Sequence, residues 1–246
     1  MNYKKVGIIG IISLTIICSC VFLLLNNTSS KDKKDQNAKQ QITTEYQEIA
    51  ESIDETTDTT NVVKRYQQEF NNTDIIGELS IENTNMRVPV AQSTDNDYYL
   101  NHLLDKSRNS LGSVYLDYRN HTTDRKLIIY GHNSENVYTE FNLLENYLDE
   151  SYYNNHSKIY FQTEDASYQY QIFSIYIATD DFQHVNLNYN TEEYANHLIW
   201  LKDQSVYNTG VEVNRYDDIL ILQTCYFNPE DTFLIVAAKK INSTNQ

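Results

Sequence analysis

Between Asn72 and Ile241 the chain is divided into eight short runs rich in Ile, Val, Leu, Tyr and Phe, each bounded by Asn, Asp, Ser, Gly or Thr. Runs of this length and composition, punctuated by turn-forming residues, are expected to be strands. They cover Ile75–Ile81, Met86–Ala91, Ser113–Tyr118, Lys126–Tyr130, Lys158–Gln162, Tyr168–Ala178, Asp218–Thr224 and Thr232–Lys239. Only three helical patterns fall among them, at Tyr98–Leu104, Val137–Tyr153 and Thr191–Gln204. Many strands with few helices to shield them favour a mainly β fold closed into a barrel, because closure removes the exposed edges. With 246 residues the chain has room for one well-cored domain plus extra segments. Two prolines and six glycines rule out a collagen-like or Pro/Gly-rich disordered chain.

The N-terminal end has a different character. Val6 to Leu25 form 20 consecutive uncharged, mostly apolar residues. As a helix rising about 1.5 Å per residue they would cross roughly 30 Å, one hydrocarbon core. Lys4 and Lys5 precede the run and favour a cytoplasmic N-terminus. A cleaved signal peptide wants a shorter apolar core and a small-residue cleavage site. A lipoprotein reading would acylate Cys20, yet the apolar run continues through Leu25. The expected layout is therefore a cytoplasmic tail and single-pass membrane anchor over 1–25, with the rest of the chain outside the cell. A polar linker follows over 26–43, then N-terminal helices over 44–71, the barrel over 72–242 and a tail over 243–246. The helices are indicated by Tyr46, Ile49, Ile53, Val62, Val63, Tyr66 and Phe70 at helical intervals, with a break near Thr56–Thr60. Net charge is -15, and beyond the apolar run 17 basic groups face 34 acidic ones. So acidic a surface repels phosphate backbones, which argues against a nucleic-acid partner.

Cys18 and Cys20 lie in the apolar run, so Cys225 is the one thiol in the polar part of the chain. No intradomain disulfide framework is possible, and neither CxxC nor HExxH is present to suggest zinc. Cys225 ends the run from Ile219 to Thr224, where side chains emerge from a core strand. A free cysteine is often an inert buried residue. His132 raises a second possibility, because it also follows an apolar strand, Lys126 to Tyr130, across a turn at Gly131. A thiolate is a competent nucleophile, and a nearby imidazole stabilises it and protonates an amine leaving group. The other five histidines, His102, His121, His156, His184 and His197, fall on expected loops or helix faces and are read as structural or solvated.

Ile221-Leu222-Gln223-Thr224-Cys225 resembles the TLxTC signature of sortases, with Ile in place of the first Thr. Tyr130-Gly131-His132-Asn133 resembles the sortase histidine turn, and Leu111 to Asn120 resembles the segment leading into it in class B members. The helix expected after the histidine turn, the second before the cysteine strand and the N-terminal helices also look like class B. The resemblance implies an eight-stranded sortase-type closed barrel with peripheral helices. It implies a transpeptidase in which Cys225 attacks the Thr carbonyl of an NPxTx-like sorting signal while His132 protonates the departing amine. Surface proteins bearing that signal and an amine of a peptidoglycan precursor are the implied partners, and no metal or other cofactor is required. Sortases also carry an arginine on the strand after the cysteine strand. The chain has none after Cys225, and Thr232 stands at about that position. Thr224 and Thr232 are the remaining candidates for contacting substrate or oxyanion. The missing arginine leaves three possibilities: a guanidinium from elsewhere (Arg119 or Arg215), weak activity, or a non-catalytic peptide-binding protein. Arg119 is read as a structural ion-pair partner, and Arg215 as lying at the far end of the strand.

Overall fold

In the computed structural model, the described residues are 30–52, 61–179 and 183–245. Eight strands close into a barrel in the order β1-β2-β3-β4-β7-β8-β6-β5. They are β1 (Ile75–Ile81), β2 (Arg87–Ala91), β3 (Tyr115–Leu116), β4 (Lys126–Tyr130), β5 (Lys158–Gln162), β6 (Ala166–Ala178), β7 (Ile219–Tyr226) and β8 (Thr232–Asn245). All eight expected strands are present, most within two residues of their expected ends. β8 is the main exception: it runs on into the expected tail over 243–246, where Ala166 pairs with Asn245. The pairings are antiparallel except β2 with β3 and β4 with β7.

Every residue of β7 from Ile219 to Thr224 is buried. Alternation is lost because both faces of the strand are covered. Leu220 and Leu222 point into the barrel with Leu127, Ile129, Leu234 and Val236. Ile219 and Ile221 face outward with Ile128 and Ile235, where helix α4 (Thr191–Asp203) covers them with Tyr194, Leu198 and Leu201. Asn190 caps α4 by accepting from the amides of Glu192 and Glu193, which explains why the helix starts there.

Two of the expected helices are altered. Tyr98–Leu104 is a series of turns, with the Tyr98 amide bonded to Asp95 Oδ1 and His102 stacked on Tyr98. Val137–Tyr153 divides into 3-10 turns over Glu140–Leu148 and a single helical turn, α3 (Glu150–Tyr153). Asp149 is extended between them and accepts from the Ser151 amide, so it begins a new helix where one was expected to continue.

The largest correction concerns the polar linker. Residues 30–52 are helical (α1), and the second N-terminal helix, α2, spans Val62–Glu69. Along α1 the buried residues are Asp35, Lys39, Ile42, Thr43, Tyr46, Ile49 and Ala50, a repeat of threes and fours along one face. The polar composition of this stretch predicts a solvated tether, and isolated charges such as Asp35 and Lys39 are rarely buried. Here both are paired. Asp35 Oδ2 accepts from Ser110 Oγ at 2.7 Å, and Lys39 Nζ meets Glu140 Oε1 at 2.8 Å. The apolar run Val6–Leu25 and the break at Thr56–Thr60 lie outside the described residues. Among the described residues no helix is long and apolar enough to cross a membrane.

A chain starting at residue 44 is expected to be less stable to urea than one starting at residue 30. The loss should be about 3–5 kcal/mol, the scale for removing one partner of a buried ion pair. Equal unfolding midpoints would show that residues 30–43 add nothing to the fold.

Candidate active site

The site forms where two parallel strands end together. β4 and β7 pair from Lys126 with Ile219 to Tyr130 with Gln223. The register continues beyond the strands: the Gly131 amide donates to Gln223 O at 3.2 Å, and Thr224 Oγ1 donates to Gly131 O at 2.8 Å. One residue further, Asn133 Nδ2 donates to Cys225 O at 3.0 Å. This register sets His132 level with Cys225 on strands about 4.8 Å apart. Gly131 is required by close packing, since a Cβ there would lie 2.7 Å from the Phe141 ring.

His132 and Cys225 line one cavity of about 350 Å³. Leu100, Tyr115, Tyr130, Val185 and Phe233 supply most of its apolar wall, and Asn96 and Asp97 add polar groups. His132 Nε2 lies 2.8 Å from Leu100 O. A carbonyl only accepts, so Nε2 carries the proton and Nδ1 is the basic nitrogen of the neutral ring. Burial lowers the His132 pKa below its ordinary value, with the Lys39 charge adding to the effect and the Leu100 bond and Glu140 opposing it. Cys225 is exposed to solvent, yet the protein around it desolvates the thiolate and pushes the thiol above its ordinary value. The neutral thiol and imidazole therefore predominate near pH 7, and the reactive ion pair is a minor form.

The two threonines stand differently from what the sequence suggested. Thr224 lines the cavity, but its hydroxyl is committed to the Gly131 carbonyl. Thr232 is buried in the β7–β8 hairpin and donates to Pro229 O at 2.7 Å. It pairs with Tyr226, whereas Phe233 pairs with Cys225. Directly paired residues project on the same face of a sheet, so Phe233 stands beside Cys225.

Neither candidate arginine replaces the missing one. Arg119 grips buried Asp117 through two bonds, Nε to Oδ1 at 2.8 Å and Nη2 to Oδ2 at 2.7 Å, and it donates to Val185 O at 3.0 Å. Its role is to brace the cavity wall, together with Tyr130 Oη, which donates to Asp117 at 2.8 Å. Arg215 lies before β7, where its carbonyl accepts from Arg125. Among the described residues the cavity is lined by no arginine.

Sequence reasoning missed Phe233, Leu100 and Val185. The first needed the hairpin register, and the other two reach the cavity from distant loops. Of the two readings open for His184 the structural one holds: the ring is fully buried, with Nε2 2.8 Å from Gln223 Oε1.

The Sortase domain family model matches residues 79–241. Sortase B of Listeria monocytogenes is 36% identical over 157 residues, which cover 63% of this chain and 63% of that protein. The chain thus spans just under two thirds of the length of that relative. Sortase B of Staphylococcus aureus is 34% identical over 174 residues, covering 69% of this chain and 71% of that protein. Among solved structures, a Staphylococcus aureus sortase B–substrate complex aligns with a TM-score of 0.69 and 28% identity, over 87% of this chain and 98% of that one.

Alkylation of Cys225 by iodoacetamide is expected to rise with pH along a single limb whose midpoint lies above 9, the ordinary value for a thiol. A rate plateau below pH 7 would mean that a preformed thiolate–imidazolium pair dominates instead.

Proposed function

The chain belongs to the sortase family, within class B, and from that premise we propose that it is a cysteine transpeptidase joining surface proteins to the cell wall. The observation that carries this reading is the parallel β4–β7 register, which brings one imidazole and one thiol to the same cavity.

The Cys225 thiolate attacks the Thr carbonyl of an NPxTx-like sorting signal. The bond from that carbonyl carbon to the following nitrogen breaks as the His132 imidazolium protonates the departing amine, leaving a thioester. An amine of a peptidoglycan precursor then attacks the thioester, gives its surplus proton to His132 and releases the thiolate. Leu100, Tyr115, Tyr130, Val185 and Phe233 offer apolar surface to the peptide, and the histidine handles both proton transfers. The N-terminal run Val6–Leu25 serves as a single-pass anchor with its N-terminus in the cytoplasm. The catalytic domain then lies outside the cell, where sorting signals and wall precursors meet.

A second reading, a sortase-like protein that binds sorting peptides without turning them over, is favoured by one observation. Phe233 rather than an arginine stands opposite Cys225. An apolar ring donates no hydrogen bond to a developing oxyanion, and loss of one such donor typically costs on the order of 10²–10³ in rate.

The test incubates the full chain in detergent micelles with NPxTx peptides and an amine acceptor and follows products by mass spectrometry. Wild type is expected to give a transfer product that Cys225→Ala abolishes. Phe233→Arg is expected to raise the rate about tenfold or more, a fraction of what an oxyanion donor supplies. Thr232→Arg, aimed into the hairpin, is expected to give no gain. Absence of thioester and product in both wild type and Phe233→Arg would favour the binding-only reading.

A further inference from the structure

His132 is held at two points, and both lead back to one lysine on α1. Its ring is bonded to the carbonyl of Leu100, and its own carbonyl accepts from Thr139 Oγ1 at 2.6 Å. The first hold rests on Gly112, which packs so tightly on the Tyr99 and Leu100 carbonyls that a Cβ would lie 2.5 and 2.6 Å from them. Lys39 Nζ donates to the carbonyl of this glycine at 2.9 Å. The second hold adjoins Glu140, whose carboxylate lies 2.8 Å from the same Nζ and accepts from Tyr46 Oη, also on α1, at 2.8 Å. Both side chains of the ion pair are 7% exposed.

Docking a helix does not by itself require this arrangement. A well-packed apolar pair is commonly as stabilising as a buried ion pair, since desolvating two charges offsets much of their attraction. A charged pair does supply directed bonds to two separate loops, and a field at whatever lies between them. Lys39 and Glu140 act on the protonation of His132 in opposite directions.

We propose that Lys39 and Glu140 are positioning residues for the transfer reaction, through which α1 clamps both supports of His132 and sets the imidazole beside Cys225. The inference rests on the reading of His132 as the acid–base partner of Cys225. Across the cavity, Cys225, Asp97, Tyr115 and Tyr130 are the other titratable groups facing this site. They stay unchanged in the variants below.

The test uses the full chain in detergent micelles, with Lys39→Met, Glu140→Gln, the double variant and His132→Ala. Two readouts are followed: the His132 ring titration by NMR, and kcat and KM for peptide transfer against pH. Lys39→Met removes a repelling cation, so the His132 titration and the acid limb of kcat/KM should move up by at least about half a unit. Its kcat should fall about tenfold, with KM changed less than twofold, as expected for a displaced catalytic group. Glu140→Gln should move the titration down. The double variant removes both charges, so its titration should return close to wild type while kcat stays low. A folded Lys39→Met with wild-type titration and kcat would overturn the proposal. Should Lys39→Met fail to fold, the double variant, which leaves no lone buried charge, decides: wild-type kcat there would overturn it. His132→Ala with wild-type kcat and acid limb would remove the reading of His132, and the clamp with it. An inert His132→Ala beside unaffected Lys39 variants would remove the clamp alone.

Discussion

The parallel pairing of β4 with β7 is the interaction on which the rest of the site depends. These strands are separated by almost 90 residues in sequence, yet five consecutive pairs lock them in one register. Side chains on a strand alternate faces, so a slip of one residue would turn either His132 or Cys225 away from the cavity. Bonds beyond the last pair, from Gly131, Thr224 and Asn133, extend that register to the reactive residues themselves. Thr224 is therefore best understood as a tie between strands, made by a hydroxyl that would otherwise face the substrate.

Around this core the chain uses polar groups as braces. Asp117 is fully buried yet held charged: burial opposes ionisation, but bonds from Arg119, Tyr130 and Asn96 outweigh it. Arg119 in turn holds the Val185 carbonyl, and so connects a cavity wall to a loop that no strand supports. Lys39 and Glu140 do the same for the two loops that hold His132. In each case a desolvated charge is balanced by several directed bonds, the condition under which buried charges are tolerated.

The reactive pair itself is tuned by lack of water. Desolvation acts in opposite directions on the two groups, favouring a neutral thiol and a neutral imidazole. Both shifts keep the thiolate and the imidazolium minor forms near pH 7. Phe233, paired with Cys225, makes the cavity more apolar than a guanidinium would at that position.

Local pattern was enough to mark the eight strands, the α4 helix and the emergence of His132 and Cys225 from apolar runs, because alternation, β-branched content and turn residues are properties of neighbours in sequence. The motif resemblance added the family to that reading. Local pattern failed where distant partners override local preference. Residues 30–43 look like a solvated tether until Ser110, Gly112 and Glu140 supply partners for Asp35 and Lys39. Tyr98–Leu104 has helical spacing, yet its backbone is satisfied by turns. Thr232 stands at about the position of the missing arginine, but its hydroxyl is turned into the hairpin, and the residue paired with Cys225 is Phe233. The sequence by itself determined which residues can react and which segments become strands. Only the tertiary structure decided which of them meet, because register, buried pairing and desolvation depend on contacts between residues far apart along the chain.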